Sequence, residues 1–207
     1  YGFVRTTWLT NAGKTACQVE ILDGVQNLLP ANATVGVQAT MSCLLDAYKR
    51  AELDSVSGLG IFALNATLTD LPEPSESLLA TTVAQVGLKP STYLLSTLQT
   101  GHFRAGKRIQ TETEIRGRRG AYFVQAAFDL APQSEQTWHM LIDGQQDASA
   151  VARKAALLRG DSAALQQAIE ADKARQAEAL RQQRSDELAS LPVPEANQLA
   201  PAAPFHS

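Results

Sequence analysis

The segment that decides the fold, residues 108–130, reads RIQTETEIRGRRGAYFVQAAFDL. Its first part, residues 108–116, alternates between small or apolar side chains and charged or amide side chains, which is the period of a strand with one packed face. Residues 117–120 carry two glycines and predict a turn. The segment therefore predicts two strands joined by a turn. The second strand places the following side chains on its packed face: Tyr122, Val124, Ala126, Phe128 and Leu130.

Further strand-like runs lie on both sides of this segment. Residues 1–9 and 17–22 flank an Asn-Ala-Gly turn signal and predict a hairpin that ends at Asp23-Gly24. Residues 37–49 have apolar side chains at helical spacing and predict one short amphipathic helix. A parallel α/β fold needs a helix after nearly every strand, so the pattern favours a mainly β, two-layer antiparallel sandwich. The remaining predicted strands are residues 59–68, 78–88 and 136–142, with a proline-rich loop at 70–76.

The pattern changes from strand to helix near Asp147. Asp147 and Asp161 are suited to cap helices, and Gly160 separates predicted helices at residues 149–159 and 162–188. The longer helix has only a thin apolar stripe and needs a surface to lie against. The predicted domains are a β-sandwich at residues 1–146, a helical linker region at 147–190 and a disordered, proline-rich tail at 191–207.

Charge and hydropathy limit the classes of partner. A net charge of -3 and a pI near 5.6 give no broad basic face for nucleic acid, and Arg116, Arg118 and Arg119 are interpreted as a solvated turn. No run of about 18 apolar residues and no signal peptide is visible, so we predict no membrane partner and a cytoplasmic location. Cys17 and Cys43 lie in apolar surroundings and are expected to be buried free thiols.

The sequence carries no recognisable catalytic motif. The three histidines are scattered, and neither a metal-ligand spacing nor a nucleophile elbow is present, so no metal, cofactor or catalytic residue is predicted. The carboxylate pairs Asp46 with Glu52 and Glu73 with Glu76 are interpreted as solvated loop charges. Glu112, like Glu114, is placed on the outward face of a strand. A small hydrolase complete in itself is therefore the least favoured class.

Four segments, taken in their order along the chain, resemble the amino-terminal region of carbohydrate phosphorylases related to glycoside hydrolase family 94. The resemblance extends from about Phe3 to Arg184 and is greatest to the branch that acts on 1,2-β-glucans, the 1,2-β-oligoglucan phosphorylases. It depends on several segments in order and on no single diagnostic motif. The segments are residues 22–30, 45–50, 72–76 and 119–123.

The resemblance implies a galactose mutarotase-like β-super-sandwich, then linker helices, then an (α/α)6 barrel. In such enzymes the barrel carries an Asp general acid, and inorganic phosphate, the co-substrate, releases a sugar 1-phosphate with inversion. This chain ends where the barrel should begin, so no residue here inherits the catalytic role. The resemblance implies a non-catalytic sandwich domain with three partners: a β-glucan oligosaccharide, the missing helical barrel domain and a second copy in a homodimer.

Three residues in the matching segments have chemistry suited to sugar: Tyr48, Lys49 and Tyr122. Aromatic rings stack on the apolar faces of sugars, and charged groups bond their hydroxyls. The alternative is core packing, because Tyr48 lies on the apolar face of the predicted helix and Tyr122 on a strand face. A free-standing carbohydrate-binding or protein-interaction module is the alternative function. A reading frame that continues beyond Ser207 into repeated helices would favour the phosphorylase domain.

Overall fold

The computed structural model describes residues 2–66 and 77–190. Side chains are described up to residue 185. The predicted loop at 70–76, the Glu73 and Glu76 pair and the predicted tail at 191–207 lie outside the described residues.

Within this part of the chain, the strands form two antiparallel sheets. A six-stranded sheet has the order β1-β9-β5-β4-β3-β7, and a three-stranded sheet has the order β2-β8-β6. The predicted mainly β, antiparallel class is therefore confirmed. The strands are β1 Phe3–Thr10, β2 Cys17–Leu28, β3 Lys49–Asp54, β4 Leu59–Leu64, β5 Ala80–Val86, β6 Thr92–Leu94, β7 Glu114–Arg116, β8 Gly120–Leu130 and β9 Glu135–Gln146.

The main core lies between the two sheets. Tyr122 and Val124 of β8 pack with Phe62, Val83 and Met140 of the six-stranded sheet, and all five side chains are buried. The predicted alternation of β8 is confirmed from Tyr122 onward, because the inward positions are buried or half-buried and the outward ones, from Phe123 to Asp129, are half-buried or exposed. Apolar burial of this kind contributes about 1.5–3 kcal/mol for each large side chain.

Five helices connect or cover the strands in the described residues. The helix predicted at residues 37–49 is two helices, because Met41 leaves helical geometry at φ -129° and ψ 37°. Thr34 caps the first of them by accepting a hydrogen bond from the Val37 amide at 3.2 Å. The helices are α1 Val35–Thr40, α2 Ser42–Tyr48, α3 Thr100–Arg104, α4 Ala148–Leu158 and α5 Ser162–Ser190.

Helix α4 and the start of α5 cover the outer face of the six-stranded sheet. Ala155 of α4 packs against Leu59 and Ala84, and Ile169 of α5 packs against Val86. Lys154 adds an ion pair to Asp143 of β9. Both faces of β5 are therefore buried. This layer gives the carboxy-terminal helices the apolar contact that their sequence requires.

The predicted caps and helix boundary at this point are confirmed. Asp147 accepts a hydrogen bond from the Ala150 amide at 2.7 Å, and Asp161 accepts one from the Ala163 amide at 2.8 Å. The first compact unit of the chain ends at Ile169, and the rest of α5 belongs to a second unit. In that second part, ion pairs three residues apart lie along the helix: Lys173 with Glu170, Arg175 with Asp172 and Arg181 with Glu178.

The predicted hairpin of residues 1–9 and 17–22 is wrong. β1 pairs with β9 in the larger sheet, whereas β2 pairs with β8 in the smaller one. The Asn11 side chain donates to the carbonyls of Thr15 and Leu130, both at 2.9 Å, so the turn signal marks a crossing between sheets. β2 also continues through Asp23-Gly24, because Gly24 lets the backbone lie close to Phe123 of β8.

The strand predicted at residues 108–116 is mostly wrong, since only Glu114–Arg116 pairs in a sheet. The Glu112 carboxylate is not solvated on an outward face. It accepts hydrogen bonds from the Leu95 amide at 2.8 Å, the Ser96 hydroxyl at 3.1 Å and the Gln99 amide group at 2.8 Å. These bonds hold residues 108–113 as an extended segment against the loop that follows β6.

The thiols are free as expected, but their predicted burial is wrong, because Cys17 and Cys43 are both exposed. Cys17 lies at the exposed beginning of β2, and Cys43 lies on the outer side of α2. Apolar neighbours in sequence did not become apolar neighbours in space.

Candidate functional site

A polar cleft opens at one end of the two sheets, where helix α2 meets two loops. Its volume is about 300 Å³, and we name it the Asp46 cleft. One loop follows β6, and the other joins β7 to β8. The lining residues are Asp46, Ser96, Thr97, Leu98, Gly117, Arg118 and Arg119.

Lys49 fixes the position of Asp46. It lies at the junction of α2 and β3, and only 3% of its side chain is exposed. Its ammonium donates to Asp46 Oδ1 at 2.7 Å and to Gln38 Oε1. A buried charge is costly unless it is paired, so the Lys49 ammonium requires Asp46 and Gln38 as partners. The Asp46 carboxylate at the cleft wall is thereby held in place by the buried Lys49 ammonium.

The loop 117–119 is tied to the same junction. The Gly117 amide donates to the Lys49 carbonyl at 2.9 Å, and Gly117 has a φ of +67°, which favours glycine. Arg119 Nε lies 3.9 Å from Asp46 Oδ2, so the guanidinium is near the carboxylate without a hydrogen bond at that atom. The Arg118 and Arg119 side chains therefore lie beside a fixed carboxylate.

A smaller cavity of about 60 Å³ lies on the other side of Arg119 and is lined by Lys49 and Gln38 as well. The Gln38 Nε2 atom is buried there and has no hydrogen-bond partner among the described residues. A cavity of this size with polar side chains in its wall can hold water. A water molecule bound to Gln38 Nε2 would satisfy that donor.

The structure places the three predicted site residues in three different surroundings. Lys49 lies at the cleft, behind Asp46. Tyr48 is half-buried and packs on the small cluster of Ala33, Leu45 and Leu64. Of the three, Lys49 is the residue whose side chain bonds a lining residue of the cleft, namely Asp46.

Tyr122 lies in the core and is 0% exposed. Its hydroxyl donates to the Gly58 carbonyl at 2.7 Å, and its ring lies 6.2 Å from the ring of Tyr93. Burial, with Tyr93 nearby, raises the pKa of Tyr122 well above its ordinary value. The core-packing alternative therefore describes this residue, and a sugar has no exposed part of the ring to contact.

The sequence reasoning did not select the residues that line the cleft. Asp46 was paired with Glu52, but Glu52 bonds Arg50 at 2.5 Å and Asp46 bonds Lys49. Arg118 and Arg119 were assigned to a solvated turn, and both are indeed exposed in the loop 117–119, but their position beside Asp46 was not predicted. A signal was present, because Asp46 and Arg119 both fall inside segments that carry the resemblance, 45–50 and 119–123.

Among residues 2–66 and 77–190, no group of three or more His, Cys, Asp or Glu side chains is placed to hold a metal ion. No helix in the same ranges is both long enough and apolar enough to cross a membrane.

No protein-family model and no curated protein matches the chain. The resemblance to carbohydrate phosphorylases therefore stays a prediction from the quoted segments.

Proposed function

We propose that the chain is a non-catalytic sandwich domain that supports sugar binding in a carbohydrate-active enzyme resembling an inverting β-glucan phosphorylase. The observation that carries the proposal is the Asp46 cleft of about 300 Å³, which is lined by a fixed carboxylate residue, Asp46, together with two arginines and Thr97. Carboxylates and guanidinium groups are the side chains that make the strong, directed hydrogen bonds to sugar hydroxyls. The sugar partner is a β-glucan oligosaccharide.

The packing of the helices supports the position of this domain in a larger enzyme. Helix α4 and the start of α5 cover the outer face of the six-stranded sheet, as linker helices after a sandwich are expected to do. The finer fold, a galactose mutarotase-like super-sandwich, belongs to the same proposal. So do a following helical barrel that carries catalysis with inorganic phosphate, a homodimer and a cytoplasmic location.

A free-standing carbohydrate-binding module is the second candidate. The residues up to Ile169 form a compact unit with its own core, which is the property such a module needs. Sequencing the gene beyond the Ser207 codon separates the two. An open frame that continues into repeated helices supports the phosphorylase domain, and its complete product should release sugar 1-phosphate from a β-1,2-glucan when inorganic phosphate is added.

The cleft itself is tested by titrating the chain with β-1,2-linked glucan oligosaccharides in a calorimeter. Asp46→Asn keeps an oxygen acceptor for Lys49 but removes the charge, and we expect it to weaken binding by about tenfold or more. Asp129→Asn is the matched control, because Asp129 is exposed on β8 and does not line the cleft. Binding that is absent, or that is equal in Asp46→Asn and the unchanged chain, would contradict the proposed role of the cleft.

A further inference from the structure

The Asp46 cleft has an excess of positive charge. Arg118 and Arg119 line it together with one carboxylate, that of Asp46, which already pairs with the Lys49 ammonium. Glu112 lies behind Ser96, and its carboxylate accepts bonds from the loop after β6. The positive charge of the two arginines is therefore not balanced by the side chains that line the cleft.

The guanidinium groups also have unused hydrogen-bond donors. Each guanidinium has five N–H donors in a fixed plane. Arg118 makes no hydrogen bond or ion pair with any other side chain in the described residues, and Arg119 approaches Asp46 only at 3.9 Å. Arg116, in the same sequence cluster, is different because its Nε donates to Glu114 at 2.6 Å. The two arginines without such a bond are the two that line the cleft.

Asp46 presents a complementary acceptor. Its Oδ1 is bonded by Lys49, whereas its Oδ2 has no hydrogen bond from a described residue and faces Arg119 at 3.9 Å. A carboxylate oxygen without a donor accepts a hydroxyl well. Because Lys49 compensates the charge of Asp46, an anionic group held by the arginines is repelled less than it would be by a free carboxylate.

We propose that the Asp46 cleft binds a sugar that carries an oxyanion, with Arg118 and Arg119 holding the oxyanion and Asp46 accepting a sugar hydroxyl. This inference rests on the proposed function for the presence of a sugar site in the cleft, and it assigns to that site an anionic sugar in place of the neutral β-glucan oligosaccharide. Guanidinium groups bind carboxylate and phosphate through paired hydrogen bonds. The oxyanion is therefore a carboxylate of a uronic acid or a phosphate of a sugar phosphate.

The experiment measures dissociation constants of the full chain for four probes at low salt: glucose, glucuronate, glucose 6-phosphate and inorganic phosphate. We expect one of the two anionic sugars to bind about tenfold or more tightly than glucose, and the stronger of them identifies the source of the oxyanion. Arg118→Gln and Arg119→Gln should each weaken binding of that anionic sugar by about tenfold and weaken glucose binding much less, because a glucose hydroxyl carries no charge for the guanidinium to pair with. Arg153→Gln is the control, because Arg153 is exposed on α4 and is not a lining residue.

The outcomes separate this inference from the proposed function. If glucose binds as tightly as both anionic sugars, the oxyanion inference fails and the sugar site stands. If inorganic phosphate binds as tightly as glucose 6-phosphate and glucose does not bind, the sugar part fails together with the proposed function. Anionic-sugar binding that is unchanged in both arginine variants would place the oxyanion elsewhere and overturn the inference.

Discussion

The two ends of strand β3 differ in what their buried polar groups do. At its start, the buried Lys49 ammonium bonds Asp46, which lines an open polar cleft. At its far end, Asp54 closes a tight turn, in which its carbonyl accepts the Gly58 amide at 2.7 Å. The Gly58 carbonyl then accepts the hydroxyl of the buried Tyr122 at 2.7 Å. The start of β3 therefore borders an open cleft, whereas the turn at its end is packed against Tyr122.

This difference separates two residues that the sequence placed in one class. Lys49 and Tyr122 are both buried, at 3% and 0% exposure, and both were predicted to contact sugar. Lys49 is surrounded by polar partners next to the cleft, whereas Tyr122 is surrounded by apolar side chains. Burial alone therefore does not define a role. The partners of the polar atom assign Lys49 to positioning Asp46 and Tyr122 to closing the turn.

The largest expected effect comes from removing the side chain that fills the closed end. Tyr122→Ala leaves a cavity between the sheets and should lower the free energy of unfolding by about 3–5 kcal/mol. Urea unfolding followed by circular dichroism measures this loss.

Tyr122→Phe is the matched control, because it keeps the ring and removes only the hydrogen bond to the Gly58 carbonyl. Its expected loss is about 0.5–1.5 kcal/mol, and its sugar affinity should equal that of the unchanged chain. A clear loss of sugar affinity in a folded Tyr122→Phe protein would instead support direct ligand contact.

A smaller effect is expected at the open end. Asp46→Ala leaves the buried Lys49 ammonium with Gln38 as its remaining side-chain partner and should lower the free energy of unfolding by about 1–3 kcal/mol. Adding Lys49→Met removes the unpaired charge, so the double variant should be more stable than Asp46→Ala alone. Urea unfolding is measured for Asp46→Ala, for Lys49→Met alone and for the double variant. If the two single-variant losses simply add, Lys49 and Asp46 are not coupled.

The sequence predicted the fold best where the local pattern and the tertiary surroundings agree. β8 alternates in sequence, and its inward side chains form the core, so Tyr122 and Val124 were placed correctly. The caps at Asp147 and Asp161 were also correct, because a cap depends on a few neighbouring residues. The choice of partner for β1 depends on β9, far along the chain, and a turn signal cannot show it.

The strand prediction for residues 108–113 failed for another reason. Their alternation describes an extended chain, but this segment makes only isolated backbone bonds, from the Glu112 amide to the Tyr93 carbonyl and from the Leu53 amide to the Thr113 carbonyl, both at 2.9 Å. The Glu112 side chain adds bonds to the loop after β6, and no continuous sheet pairing forms. The cleft was missed for a related reason, since it exists only where α2 and the loop 117–119 meet in space. A single sequence gives the chemistry of Asp46 and Arg119 but not their proximity.

The smallest expected effect is on the pKa of Asp54, in the turn that follows β3. The Ser57 hydroxyl donates to Asp54 Oδ2 at 2.6 Å, and this bond is the main cause that holds the pKa of Asp54 below its ordinary value. A carboxyl group with a lowered pKa stabilises the fold at pH values above its unfolded-state pKa, and that stabilisation is lost as the pH falls through the folded-state pKa.

Ser57→Ala should therefore raise the pKa of Asp54 and reduce this contribution to stability, as an NMR titration of the Asp54 carboxyl carbon would show. Ser55→Ala in the same turn is the control, because Ser55 is exposed, and it should leave the titration unchanged. An Asp54 titration that is the same in all three proteins would mean that the backbone closes this end of β3 without the side chain.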